Sequence, residues 1–161
     1  MTHKTCCGCR KDFALESYWR KKSNRDGHDD FCPNCKRNQQ IARENTPKGI
    51  YELKARLLAT IFKPQWFPGI NKEIYQLDHK FSLAAGFQCQ VPLEIIANKN
   101  NICPLTIRDN RVKGTKCSIS LDQLFSQADS GNNHFRRMTE IVNKQNNPDI
   151  LRRWAKYVYG K

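Results

Sequence analysis

The sequence contains no apolar run approaching the roughly 20 residues that a membrane-spanning helix needs. No basic amphipathic helix with a long apolar face stands out either, which argues against a membrane-surface protein. Its first residues, Met1-Thr2-His3-Lys4-Thr5-Cys6, hold no apolar h-region. The expectation is an intracellular protein of the cytoplasm or nucleoid, not a secreted one. No internal repeat and no low-complexity tract interrupts the 161 residues. That length fits one medium domain, or a small module plus a larger core. Acidic side chains are scarce: 15 Asp and Glu stand against 28 Lys and Arg, a net charge of +13. Residues 1–45 hold 10 basic and 6 acidic residues, and 46–161 hold 18 and 9. The positive charge is therefore not a tail, and it suits a polyanion that runs across the whole protein.

Cysteine is plentiful by contrast, with eight residues. In an intracellular chain they point to metal or to reduced thiols, not disulfides. Cys6-Cys7-Gly8-Cys9 and Cys32-Pro33-Asn34-Cys35 are two CxxC pairs that can supply four thiolates to a tetrahedral structural Zn²⁺. Cys6 and Cys9 make the better first pair, with Cys7 a bystander. The 22 residues between the pairs, Arg10 to Phe31, slightly exceed the usual ribbon spacing and leave room for two hairpins or a short helix. A four-thiolate zinc has no open position, so this module serves support and contact, not chemistry. Phe13, Tyr18 and Trp19 lie among Arg20, Lys21, Lys22 and Arg25. Such interleaving tracks a nucleic-acid backbone or, equally, forms a small core with a solvated cationic face.

Residues 36–62 carry Leu53, Leu57, Leu58 and Ile61 at helical spacing, with Thr46-Pro47 restarting the helix. Lys48, Lys54 and Arg56 on this stretch lie along phosphates or form a solvated face. Pro64 and Pro68 are expected to end it. Strands are expected over 74–81 and 101–106, a partly helical connection between them, and a helix over 107–116. Two or three helices follow from Leu121. The organisation is then a zinc-binding module (1–40), a linker helix (41–66), a catalytic core (67–120) and a helical C-terminal region (121–161), an α+β chain.

Three separated pieces of the core carry chemistry. Asp78-His79, then Asn101, then Asn110 followed by Arg111-Val112-Lys113-Gly114 form the set needed to hydrolyse a phosphodiester. Asp78 and Asn110 offer the hard oxygens that Mg²⁺ or Mn²⁺ accepts. His79 can take a proton from water near neutrality. His3, His28 and His134 lack such company.

The segment Asp78 to Lys113 resembles the HNH endonuclease family, whose core is a ββα-metal fold. Asp78-His79 resembles its first-strand Asp-His, Asn101 its middle Asn, and Asn110 with Lys113-Gly114 its helix Asn and trailing Lys-Gly. The leading CxxC pairs resemble zinc modules that precede the core in phage-type homing and nicking members. The core region departs from the many members that carry two further CxxC pairs. It holds single cysteines, Cys89, Cys103 and Cys117, which are expected as buried reduced thiols.

The resemblance implies a DNA endonuclease. Asp78 and Asn110 would bind the divalent metal, His79 would activate water, and Asn101 would hold the His79 ring. Arg108, Arg111 and Lys113, with Arg20, Lys21 and Lys22 of the front module, would contact phosphates of double-stranded DNA. One such site cuts one strand, so a monomer nicks and a homodimer cuts both. A restriction or branched-DNA-resolving nuclease with the same core fits these residues too. So does a zinc-ribbon DNA-binding protein without catalysis.

Overall fold

The computed structural model describes residues 2–71, 73–128 and 133–159; Gly160 and the Tyr159 side chain, expected in the last helix, lie outside the described residues. The chain forms two compact units, Met1–Thr46 and Pro47–Lys161. Both helices and small antiparallel sheets are present, so the α+β class holds.

In the first unit, β1 (His3–Thr5) pairs antiparallel with β2 (Asp12–Ala14), placing Lys4 opposite Phe13. The tight return through Cys6 to Arg10 puts Arg10 at a φ of 60°. A 3₁₀ turn (Leu15–Ser17) and an isolated antiparallel bridge between Arg20 and His28 complete the span between the CxxC pairs. Helix α1 (Pro33–Glu44) then starts inside the second pair, with Pro33 at its first turn, where its missing N–H costs nothing. The core of this unit is small: Cys6, Tyr18 and Cys32 are buried, with Phe13 and Cys35 packed against them. Tyr18 donates its hydroxyl hydrogen to the Lys4 carbonyl at 2.8 Å. Lys4 is in turn ion-paired to Asp26 at 2.7 Å and to Asp30 at 3.2 Å.

The second unit opens with α2 (Pro47–Trp66). Leu57, Leu58 and Phe62 of this helix are buried at the centre of the main apolar cluster. The stretch expected as a linker helix over 41–66 is therefore two helices. The break comes at Thr46, not at residue 40, and α2 belongs to the core of the second unit. Helix α2 ends at Trp66, the expected end, with Pro64 in its final turn, where a proline forfeits only one helical N–H bond. Lys54 lies neither on phosphates nor on a solvated face. It is buried and donates to the Asn143 carbonyl at 2.6 Å and to Asn146 Oδ1 at 2.9 Å.

Strand β3 (Tyr75–His79) pairs antiparallel with β4 (Ile102–Thr106), with Asp78 opposite Cys103 and His79 opposite Ile102. Between them run α3 (Leu83–Gln88) and α4 (Leu93–Ile96), capped on the N-terminal side of α3 by Ser82. Gly86 on α3 makes a close approach: a Cβ there would sit 2.8 Å from Ile96 Cδ1 and 2.9 Å from the Tyr51 hydroxyl. Directly after β4 comes α5 (Ile107–Lys113). The C-terminal region is α6 (Leu121–Gln127), α7 (Asn133–Lys144) and α8 (Pro148–Tyr159); Leu124, Phe135, Val142 and Leu151 enter the main cluster. Among the described residues, no helix is long and apolar enough to cross a membrane.

Candidate active site and candidate metal centre

Strand β3, strand β4 and helix α5 form a hairpin with a helix following it. Thr106 caps α5, its side chain accepting from Asp109 N at 3.1 Å and donating to Asp109 Oδ2 at 2.7 Å. Gly114 ends it at a φ of +57°, a conformation that side chains other than glycine rarely adopt. Both ends being fixed, one face of α5 meets one face of β3. Strand alternation puts Gln76 and Asp78 on the same side. Helical spacing puts Asn110 and Lys113 on the same side, one turn apart. Asn110 Nδ2 donates to Gln76 Oε1 at 2.9 Å, and Lys113 Nζ lies 2.6 Å from Asp78 Oδ2. Lys113 also donates to the His79 carbonyl at 2.8 Å.

His79 points away from that face into the protein and is 8% exposed. Its Nε2 and the neighbouring Asp78 Oδ2 are the two buried side-chain atoms among the described residues that make no hydrogen bond. The Lys113 ammonium sits close to Asp78 Oδ2 but misses hydrogen-bond geometry there, so charge alone joins the pair. Buried polar atoms are almost always partnered, so the free Nε2 of His79 stands out, whereas Asp78 Oδ2 has the Lys113 charge beside it. Burial, reinforced by the positive charges of Arg56 and Lys113, pushes the His79 imidazole down to about 3. The ring is thus neutral at ordinary pH.

Asn101 is 1% exposed and does not hold the His79 ring, the role that the resemblance implied. Its Oδ1 accepts from Phe81 N at 2.7 Å, while Nδ2 donates to the Ile96 carbonyl at 2.7 Å and the Phe81 carbonyl at 3.3 Å. Both amide hydrogens are spent on backbone. Asn101 therefore staples the chain just beyond His79 and acts on the site through the loop. Lys113, expected on phosphates, is drawn inward instead; Arg108 and Arg111 on the same helix are exposed. Two residues of this neighbourhood escaped the sequence reading. Gln76 had a signal, since it lies two residues before Asp78 on a strand. Arg56 had none, because it reaches His79 electrostatically from α2 across 23 positions of sequence.

Cys103 is half-buried opposite Asp78, and burial together with the Asp78 charge raises its thiol. Cys89 and Cys117 are exposed rather than buried. The Cys117 Sγ accepts from Ser82 N at 3.3 Å.

The candidate metal centre lies in the first unit. The sulfurs of Cys6, Cys9, Cys32 and Cys35 all lie within 4.8 Å of one another, within reach of a single ion. Cys9 Sγ and Cys32 Sγ are 3.9 Å apart. The edge of a tetrahedron with Zn–S bonds of about 2.3 Å is about 3.8 Å, so the cluster is compatible with zinc. Cys7 is exposed and outside it. Burial alone would raise the Cys6 thiol, but backbone amides of Cys32, Cys9 and Gly8 aimed at its sulfur win and bring it to about 6. The Cys35 thiol is pushed up to about 12 by burial and by the neighbouring sulfurs. A dication among them would reverse that penalty. Gly8 lets the chain pass close there: a Cβ would lie 3.0 Å from Cys35 Sγ and 3.2 Å from Phe31, so those neighbours would have to shift. In the span between the pairs, Trp19, Arg20 and Lys22 are exposed, while Lys21 approaches Asp30 at 3.8 Å.

The sequence matches no family model, and neither a curated protein nor a solved structure matches it.

Proposed function

We propose that this chain is a metal-dependent DNA endonuclease of the HNH kind, with Asp78, His79 and Asn110 as its working residues. The observation that carries the reading is a carboxylate with its Oδ2 buried, Asp78, beneath a helix that presents Asn110, next to a buried imidazole, His79, whose Nε2 makes no hydrogen bond. A protein that only binds DNA through its cysteine module has no use for a buried imidazole with a free nitrogen.

The residues fit a hard divalent cation. Asp78 would hold Mg²⁺ or Mn²⁺ together with the Asn110 amide oxygen, which the donation to Gln76 leaves available. When bound, the ion supplies neutralisation of charge on the phosphate and on the leaving oxygen. The protein's own work is then as follows. His79, neutral because it is buried, accepts the proton of the attacking water at Nε2. The approach of a phosphate offsets the charges of Arg56 and Lys113 and raises the basicity of the ring when it is needed. Asn101 fixes the backbone beyond His79. Arg108 and Arg111 hold flanking phosphates; on the zinc-compatible module, Arg20 and Lys22 are exposed cations for phosphates of their own, with Trp19 available for stacking.

The test is incubation of the full-length protein with supercoiled plasmid and Mg²⁺, beside His79→Ala and a metal-free control. Conversion to nicked or linear DNA by the wild type alone supports the reading, and the nicked-to-linear ratio reports monomer or homodimer action. Retardation of the plasmid without cleavage, repeated with Mn²⁺ and with branched DNA, would replace it with a non-catalytic DNA-binding protein.

A further inference from the structure

We propose that Lys113 is a built-in counter-ion of the Asp78 site, which a divalent cation has to displace before it binds. The inference rests on Asp78 being a metal ligand, as in the nuclease reading. Two contacts and the shelter around them carry it. The Lys113 ammonium lies 2.6 Å from Asp78 Oδ2, an oxygen that is buried and makes no hydrogen bond. Both side chains are sheltered, at 13% and 18% exposure, so water screens the pair only weakly. The same ammonium donates to the His79 carbonyl at 2.8 Å, a second anchor that does not depend on Asp78.

A hard dication needs its oxygen ligands at about 2.0–2.2 Å. It cannot share Oδ2 with an ammonium 2.6 Å away without strong repulsion between the two cations. Binding is therefore an exchange of one cation for another. The carboxylate is never left bare in the folded protein, and the metal's affinity is lowered by what it takes to move Lys113. Displacement does not release the side chain into solvent, because the His79 carbonyl retains it. The freed ammonium then stays at the His79 carbonyl, on the face where an anionic substrate would meet the metal.

The experiment is a Mn²⁺ titration, followed by calorimetry and by the electron-paramagnetic signal of free Mn²⁺. It uses full-length protein with its cysteine cluster supplied with zinc. Wild type, Lys113→Met, Lys113→Gln and Asp78→Asn are compared. The expected result is Mn²⁺ binding about tenfold tighter in both neutral Lys113 variants, and abolished in Asp78→Asn. In the wild type, the Lys113 Nζ resonance is expected to shift on addition of Mg²⁺. Equal or weaker binding in the Lys113 variants, or an Nζ signal blind to Mg²⁺, overturns the exchange while leaving Asp78-dependent binding and the nuclease reading intact. Absence of Asp78-dependent binding in every variant overturns both.

Discussion

Asn110 on α5 is tied to Gln76 on β3 by an amide–amide hydrogen bond of 2.9 Å. The donor is the Asn110 nitrogen, so the Gln76 side chain fixes which end of the Asn110 amide remains for a ligand. Neither residue is buried, so the bond adds little to stability. Gln76→Leu is therefore expected to melt within about 1 kcal/mol of the wild type yet to bind Mn²⁺ more weakly. Plasmid cleavage should fall with it, by roughly tenfold. Unchanged Mn²⁺ affinity would show that Asn110 needs no such orientation.

The cysteine cluster and the apolar core of the first unit are nearly the same residues. Cys6, Cys32 and Cys35 pack with Tyr18 and Phe13, and the other buried residues described there, His28 and Asp29, are polar. Stripping the metal from a zinc-loaded preparation should unfold residues 1–46 and leave the helices of the second unit, which has its own cluster around Leu57, Leu58 and Phe62. Limited proteolysis after chelation would then cut before residue 47 and spare the remainder. Gly8→Ala, which drives a methyl group against the Cys35 sulfur, should lower zinc affinity by about tenfold. One zinc per chain held equally tightly by wild type and Gly8→Ala would refute this account of the knuckle.

The buried imidazole gives stability a definite pH dependence. His79 is held down to about 3 in the fold, chiefly by burial, against an ordinary value of 6.5. Below 6.5 the unfolded chain takes up a proton that the folded chain refuses. The contribution of His79 is thus fully present above about pH 6.5 and is lost as pH falls toward 3, by at most about 1.4 kcal/mol per pH unit. His79→Gln removes this group, so urea denaturation followed by circular dichroism should fall less steeply between pH 6.5 and pH 4.5 in the variant. Parallel profiles for the two proteins would mean that the ring is solvated.

What the sequence revealed was local, and what it concealed was long-range. The CxxC pairs name their own partners, because two residues between thiols make a knuckle, and the four sulfurs do converge. Strand β3 and helix α5 were legible within a few residues from apolar spacing. Lys54 was not. On a helical wheel it looks like part of a basic face, but a chain segment about 90 residues later brings the Asn143 carbonyl and Asn146 to it, and pairing overrides polarity. The partners of Lys113 were hidden for the same reason: nothing near it in sequence announces the carboxylate and the carbonyl that the hairpin supplies. Thr46-Pro47 announced the restart of the helix, but not that α2 belongs to the second unit, because an amphipathic helix reads the same wherever its apolar side is buried.

Asn101 separates two kinds of role that the sequence could not. A residue that merely orients a catalytic ring can be changed with loss of rate and little loss of stability. Asn101 instead bonds three backbone groups in a buried place. Asn101→Asp keeps the shape but turns both donors into acceptors facing the Ile96 and Phe81 carbonyls. The cost should be about 3 kcal/mol or more, since buried donors and acceptors left unmatched are among the few single changes that reach this size. Thermal denaturation should therefore show a large drop, and cleavage at low temperature should recover in proportion to the folded fraction. A variant that melts like the wild type but does not cleave would return Asn101 to the side of His79. Asn101→Ala, which leaves the Phe81 amide and two carbonyls unpaired but adds no repulsion, should fall between the two in stability.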